Sequence, residues 1–243
     1  MHRFLIDRGA IENGIALLDE NEARHALKVL RLTDGDGIEA MDGQGSAWRG
    51  ILTLREGRAY IMLGAELKST DAPIRLTLYM GLPKGEKLEI VAQKLCELGA
   101  ARLVPVRMER CIAKMPPQEA EKKLQRIRRI ALEAQKQSGR MSELEVENPV
   151  DMKTLIDSVG DHEAAFLFWE NVRGYRLVQA KSERPEIRNI AAIVGPEGGI
   201  SDCEAAALVS AGALAVSLGP RILRAETAAI AACAGIMTLW GDL

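Results

Sequence analysis

From Pro73 onward, short apolar runs alternate with amphipathic helical stretches, and this rhythm constrains the fold more than any other feature of the chain. "IRLTLYMG" reads as a strand closed by glycine. "GEKLEIVAQKLCELGA" follows as a helix, with Leu88, Val91, Leu95 and Leu98 on one face and Gly99 as its stop. "RLVPV" is the next strand. "EAEKKLQRIRRIALEAQKQSG" is a long helix, apolar at Leu124, Ile127, Ala131 and Ala134, with Lys122, Lys123, Arg126, Arg128 and Arg129 on its other faces. "AAFLFW", "NIAAIV" and "ALAVSL" complete the set, each strand ending in a polar or glycine-rich loop. Such alternation over about 170 residues predicts an α/β domain around a mostly parallel sheet.

Upstream the pattern differs. "GIEAMDGQGSAWRGILTLREGRAYIMLGAEL" holds three strand candidates separated by the turn signals "DGQG" and "REGR". Before them, "NEARHALKVLRL" places Ala23, Ala26, Leu27 and Leu30 at helical spacing, and "TDGDG" stops that helix. A small β-barrel with one inserted helix is expected. The polar link "KSTDAP" (Lys68–Pro73) divides the chain into domains at 1–70 and 74–243.

No run of 18 apolar residues is present, and "MHRFLIDRGA" has no apolar core of a secretion signal, so a cytoplasmic protein is expected. Cys96, Cys111, Cys203 and Cys233 lie far apart, and the chain holds three histidines. The expectation is reduced cysteines and no metal site. The net charge of −2 conceals an asymmetry: Arg102–Arg140 carries 11 Lys+Arg against 4 Asp+Glu, a surplus of +7 on an otherwise acidic chain. Charge alone leaves two readings open, a polyanion site or a solvated helix face.

Ligands of open α/β sheets bind at the carboxyl ends of the strands. Three such ends stand out: "FLFWEN" with Glu170, "AIVGPEGGISDCE", and "SLGPRILRAET". Gly195, Gly198 and Gly199 permit a sharp turn and close approach to a ligand. Ser201 and Glu204 form a capping-box pattern that opens a helix. Neither GxGxxG after the first strand nor GxxxxGK[ST] occurs, which disfavours a usual dinucleotide or phosphate-loop site. Arg221, Arg224 and Glu226 cluster at the mouth of the apolar run Ala228–Trp240, and a helix apolar all round must be buried.

"IVGPEGGISDCE" with "LGPRILRAETAAIAA" resembles the knotted SPOUT RNA methyltransferases, and among them the 16S ribosomal RNA uracil-N3 methyltransferases of the RsmE family. "RHALKVLRLTDGD" (Arg24–Asp36), "KGEKLEIVAQKLCELGA" (Lys84–Ala100) and "EAQKQSGR" (Glu133–Arg140) agree in place and order, so the resemblance covers nearly the whole chain. One departure is Lys136, which stands where the family commonly carries a glutamate. The resemblance implies a PUA-like barrel, a SPOUT domain with a deep C-terminal trefoil knot, S-adenosylmethionine held in the knot loops, and pairing of two chains through the knotted region.

It also implies roles for residues. Gly195, Gly199, Leu218 and Gly219 would offer backbone groups to the cofactor's adenine, with Ile222, Leu223 and Leu167 as apolar walls. Arg221 and Arg224 would face the uracil or its phosphate, and Glu226 would accept or orient the N3 proton. Thr227 needs no role beyond helix initiation. Arg24, His25, Lys28 and Arg31 on one helix face, with Arg126, Arg129 and Arg140, would contact RNA phosphates, which position the RNA without reading it. Phe, Tyr and Trp number three each, too few for wide base-stacking platforms, so a folded small-subunit RNA surface is the expected partner. Two other functions remain open: a ribose 2′-O or guanine-N1 methyltransferase, which "RAET" disfavours because ribose methylases carry an Asn version of that motif, and a non-catalytic RNA-binding assembly factor.

Overall fold

The computed structural model describes residues 1–112, 115 and 117–243. It divides into two compact units, Met1–Asp71 with Gln135–Glu143, and Ala72–Ala134 with Leu144–Leu243.

In the first unit, β1 (His2–Leu5), β2 (Ile11–Glu12) and β3 (Ile15–Leu17) precede α1 (Glu20–Arg24), and β4 (Gly37–Met41), β5 (Ala47–Arg55) and β6 (Arg58–Glu66) follow it. They form one six-stranded sheet in the order β1-β4-β5-β6-β3-β2, antiparallel except for β1 against β4. The "REGR" signal becomes a two-residue hairpin turn with Arg55 opposite Arg58. Glu56 and Gly57 both have positive φ, at 49° and 75°, which matches the right-handed twist of the flanking strands. Phe4, Ile38, Leu52 and Ile61 fill the core under this sheet without solvent exposure.

The inserted helix departs from its predicted form. Asp19 caps α1 by accepting from the Asn21 and Glu22 amides at 2.7 and 2.9 Å. After Arg24 the chain widens into a π-helical segment, His25–Val29, in which the Leu30 amide donates to the His25 carbonyl at 2.9 Å. The His25–Lys28–Arg31 stripe therefore does not follow α-helical spacing, and Arg31 itself turns to φ 56°.

The segment Gln135–Glu143 belongs to this unit through specific bonds. Arg3 donates to the carbonyls of Lys136 and Gln137 at 2.9 and 3.1 Å, placing a cation on the last turn of a helix. Asp71 accepts from the Ser142 amide at 3.0 Å and hydroxyl at 2.6 Å. Lys136 pairs with the buried carboxylate of Glu22, a cation opposite an acid of α1.

The second unit contains β7 (Arg75–Gly81), α2 (Lys87–Glu97), β8 (Arg102–Arg107), most of α3 (Pro117–Ser138), β9 (Glu145–Val146), β10 (Val150–Asp151), α4 (Met152–Ser158), β11 (Ala164–Phe168), α5 (Leu177–Glu183), β12 (Asn189–Val194), α6 (Asp202–Ser210), β13 (Leu214–Val216) and α7 (Ala225–Trp240). Its sheet is entirely parallel, in the order β10-β8-β7-β12-β11-β13, with β9 also on β8. Strand alternation sends Leu78, Phe166 and Ala192 to one side, with α2, α3, α5 and α7. Tyr79, Leu167 and Ile193 go to the other, with α4 and α6. Each fully buried Leu or Phe contributes about 1.5–3 kcal/mol by leaving water. Trp240 anchors the end of α7, stacked on Phe166 at 5.4 Å with its indole N–H donating to the Arg184 carbonyl at 2.9 Å. Among the described residues, no helix is long and apolar enough to cross a membrane.

Candidate active site

Three adjacent strands, β12, β11 and β13, end at the same edge of the second unit, and their loops enclose a cavity of about 530 Å³. β11 contributes Phe168, Trp169, Glu170 and Arg173. β12 contributes Val194 and the loop Gly195–Gly199. β13 contributes Ser217–Ala225, and α7 adds Ala228. Lys87, the first residue of α2, completes the wall. Apolar side chains and glycine backbone line the interior, with a few charged groups among them, which is the usual make-up of a small-molecule site.

Each loop is held from behind. Ser201 and Glu204 form the reciprocal capping box the sequence suggests, and the second Glu204 oxygen accepts from the Glu109 amide at 2.8 Å. Arg110 donates to the Gly198 carbonyl at 3.3 Å. Gly81, at the end of β7, presses on the same loop, where a Cβ would lie 2.5 Å from the Pro196 nitrogen. Gly219 is required for another reason. Its φ of 109° lies in the left-handed region, while the space where a Cβ would point is open.

A cation joins two carboxylates at the cavity wall. Lys87 Nζ lies 2.9 Å from Glu197 Oε1 and 3.2 Å from Glu226 Oε2. Glu197 Oε1 also accepts the Lys84 amide at 3.0 Å. The Lys87–Glu226 contact is the longer of the two, and the Glu226 Oε2 atom it reaches is buried. Hydrogen bonding to Glu197 holds the Lys87 ammonium above its ordinary pKa against the opposing effect of partial desolvation, and Glu226 adds to the rise. Desolvation alone would push the Glu197 carboxyl up, but hydrogen bonds from Lys87 and from backbone amides outweigh it and hold it below the usual range.

The model of the RNA methyltransferase domain family matches residues 70–237, and that of the RNA methyltransferase PUA domain matches residues 18–59. A ribosomal RNA small subunit methyltransferase E from Synechocystis is 32% identical, over 98% of this chain and 78% of its own length. The chain belongs to this methyltransferase family. A relative of the same name from Bacillus subtilis is 29% identical over 88% of this chain and 86% of its own. The crystal structure of the Neisseria gonorrhoeae enzyme of that name, bound to S-adenosylmethionine, superposes with a TM-score of 0.89 at 33% identity, covering 100% of this chain and 99% of that one.

Within this family member, the residues singled out in the sequence divide into groups. Gly195, Gly199, Leu218, Gly219, Arg221, Ile222, Leu223 and Arg224 all line the cavity. Glu226 stands one residue beyond the lining Ala225 and reaches the wall through Lys87. Leu167 lies outside it: strand alternation turns its side chain into the core on the far face of the sheet, and Phe168 meets the cavity instead. Arg24, Lys28 and Arg31 are exposed, while His25 is half-buried edge-on to Phe4. Arg129 is exposed, but Arg126 is engaged by Glu86 and Glu89 at 2.9 and 3.0 Å. Arg140 corrects the expectation of a phosphate contact. It is buried inside the first unit, with Nη2 donating to the Glu143 carbonyl at 3.5 Å and Nε 3.9 Å from Asp71. Lys87 and Glu197 also line the cavity, and their sequence signal is an acid inside a glycine-rich loop.

Proposed function

We propose that this protein transfers a methyl group from S-adenosylmethionine to N3 of a uridine in 16S ribosomal RNA of the small subunit, in the cytoplasm. The observation that carries the reading is the cavity itself, formed by three strand-end loops with Arg224 at its wall and Glu226 beside it. Its volume suits a nucleoside-sized cofactor. Gly195, Gly199 and Gly219 leave backbone groups accessible, Leu218, Ile222 and Leu223 offer apolar surface, and Glu170 is a carboxylate suited to a cationic or hydroxyl-bearing ligand.

When bound, S-adenosylmethionine supplies a methyl carbon activated by its sulfonium, so that attack by N3 breaks the carbon–sulfur bond and leaves a neutral thioether. The chain must make N3 a nucleophile, because neutral uracil carries a proton there. Arg224 and Arg221 favour the uracil anion by hydrogen bonding to the oxygens that share its charge. Glu226 accepts the N3 proton or orients a water that takes it. Arg24, Lys28, Arg31 and Arg129 meet phosphates. Labelled S-adenosylmethionine incubated with small subunits, followed by digestion of the RNA to nucleosides, should yield 3-methyluridine. A label on ribose or guanine, or none on RNA, would overturn the reading.

The finer architecture is proposed on the same resemblance: a closed PUA-like barrel in the first unit and a trefoil knot in the second. β13 lies at the sheet edge beyond β11, yet α7 packs against β7 and β12 near the centre, so the chain must cross back between them. An experimental structure in which residues 217–225 pass without threading a loop would remove the knot. Homodimerisation is supported by α7, where Ile230, Ala231 and Ala234 stay partly exposed on an otherwise apolar helix. Light scattering at micromolar concentration should give twice the 26.5 kDa of one chain. A single-chain mass with methylation intact would reject the dimer.

The two arginines on α3 differ in what they can offer RNA. Arg129→Ala should lower the slope of log affinity against log salt by about 1, as for one lost phosphate contact. Arg126→Ala should change that slope little, because Glu86 and Glu89 already neutralise Arg126. Filter binding across a salt series measures both, and equal slopes for the two variants would contradict this assignment.

A further inference from the structure

We propose that Lys87 is a positioning residue for the methyl transfer: it leans on Glu197 in the glycine-rich loop and holds Glu226 beside the cavity. The inference deepens the function proposed above and rests on its reading of Glu226.

Three segments distant in sequence meet at one ammonium. Lys87 opens α2, Glu197 lies between β12 and α6, and Glu226 lies in the first turn of α7. The two carboxylate side chains keep 25% and 18% exposure, and like charges gathered on one ammonium repel each other. A shared cation is the direct way to hold both there as anions. Glu197 is the fixed post of the arrangement, since the Lys84 amide also binds it. Glu226 is held by Lys87 through the longer contact, 3.2 Å against 2.9 Å.

The bridge also decides what Arg224 does. Arg224 stands two residues from Glu226 at the head of the same helix, and an unassigned carboxylate so near would be its natural partner. Lys87 occupies that carboxylate instead. Among the described residues Arg224 makes no side-chain hydrogen bond or ion pair, and it is exposed at the cavity, available to an incoming anion. The ammonium thus keeps base and anion-binding site separate, which a direct Arg224–Glu226 pair would collapse.

A role exerted through Glu226 differs from simple bracing of the loop in a double-mutant cycle. Lys87→Met should lower the single-turnover methylation rate about tenfold or more in the wild-type background, but less than about twofold in a Glu226→Gln background. Lys87→Arg should restore most of the rate. Calorimetry should find S-adenosylmethionine affinity within about threefold of wild type, since the loss falls on the transition state. A parallel cycle on urea midpoints, which needs no activity, should show Lys87 and Glu226 coupled in the folded chain. Equal losses of rate in both backgrounds, or an uncoupled stability cycle, would overturn the proposal. A wild-type chain that binds cofactor and shows the coupling but methylates no uridine would instead defeat the function reading.

Discussion

Arg224→Ala should lower the single-turnover methylation rate about 100- to 1,000-fold while leaving cofactor affinity within about threefold, the pattern expected when one preorganised donor to a developing anion is removed. On the proposed reading the cofactor takes backbone and apolar surface from Gly195, Gly199, Leu218, Gly219, Ile222 and Leu223, whereas Arg224 stands at the N-cap position of α7 with its side chain exposed and making no cap hydrogen bond. A ground-state ligand that does not touch the guanidinium loses nothing by its removal, and an anion formed only during reaction loses its main counter-charge. Calorimetry and single-turnover kinetics on the same preparation decide the matter. If rate and affinity fall by the same factor, Arg224 belongs to the cofactor site.

Gly81→Ala should weaken cofactor binding about 10- to 100-fold, the equivalent of the roughly 1–3 kcal/mol that overpacking costs when a packed loop must move. The added methyl would collide with the Pro196 ring and come within 2.5 Å of its backbone nitrogen, with the Met108 sulfur at 3.0 Å behind it. β7 is a central strand and cannot retreat, because β8 and β12 flank it. The glycine-rich loop must therefore shift. The melting temperature should drop by about 2–10 °C, in proportion to the same strain. A wild-type binding isotherm with a lowered melting temperature would mean that the loop's placement does not set the affinity.

How much of this was legible depends on whether a feature is local. The alternation after Pro73 specified the parallel sheet because the two periods, 2 and 3.6, are written into each segment separately. Leu88, Val91 and Leu95 all reach the core, as do Leu124, Ile127, Ala131 and Ala134. "REGR" specified its own turn. The charged residues behaved differently, because a charge reveals its partner only after the chain has folded. Arg126, Arg129 and Arg140 look alike in sequence, yet one meets two glutamates, one faces solvent and one is enclosed. The Lys87 bridge was invisible for the same reason. Leu167 was misplaced by a single position, which in a strand means the opposite face. The π-helical turn at His25 leaves no signature in a run that otherwise reads as helix.

The first unit also has a timetable. Its sheet is contained in Met1–Asp71, but Gln135–Glu143, which receives Arg3 and Asp71 and supplies the cation for Glu22, lies far downstream. At translation rates of about 5–20 residues per second, the ~60 intervening residues keep these partners apart for roughly 3–12 s. Until then Glu22 lacks its cation, and Met41 and Ala47 lack the Met141 side chain that packs on them. The nascent unit is therefore an unfinished surface that only later synthesis can close, and a fragment ending at Asp71 would retain that state permanently. The part of the molecule made first is completed only after much of the second unit has been synthesised.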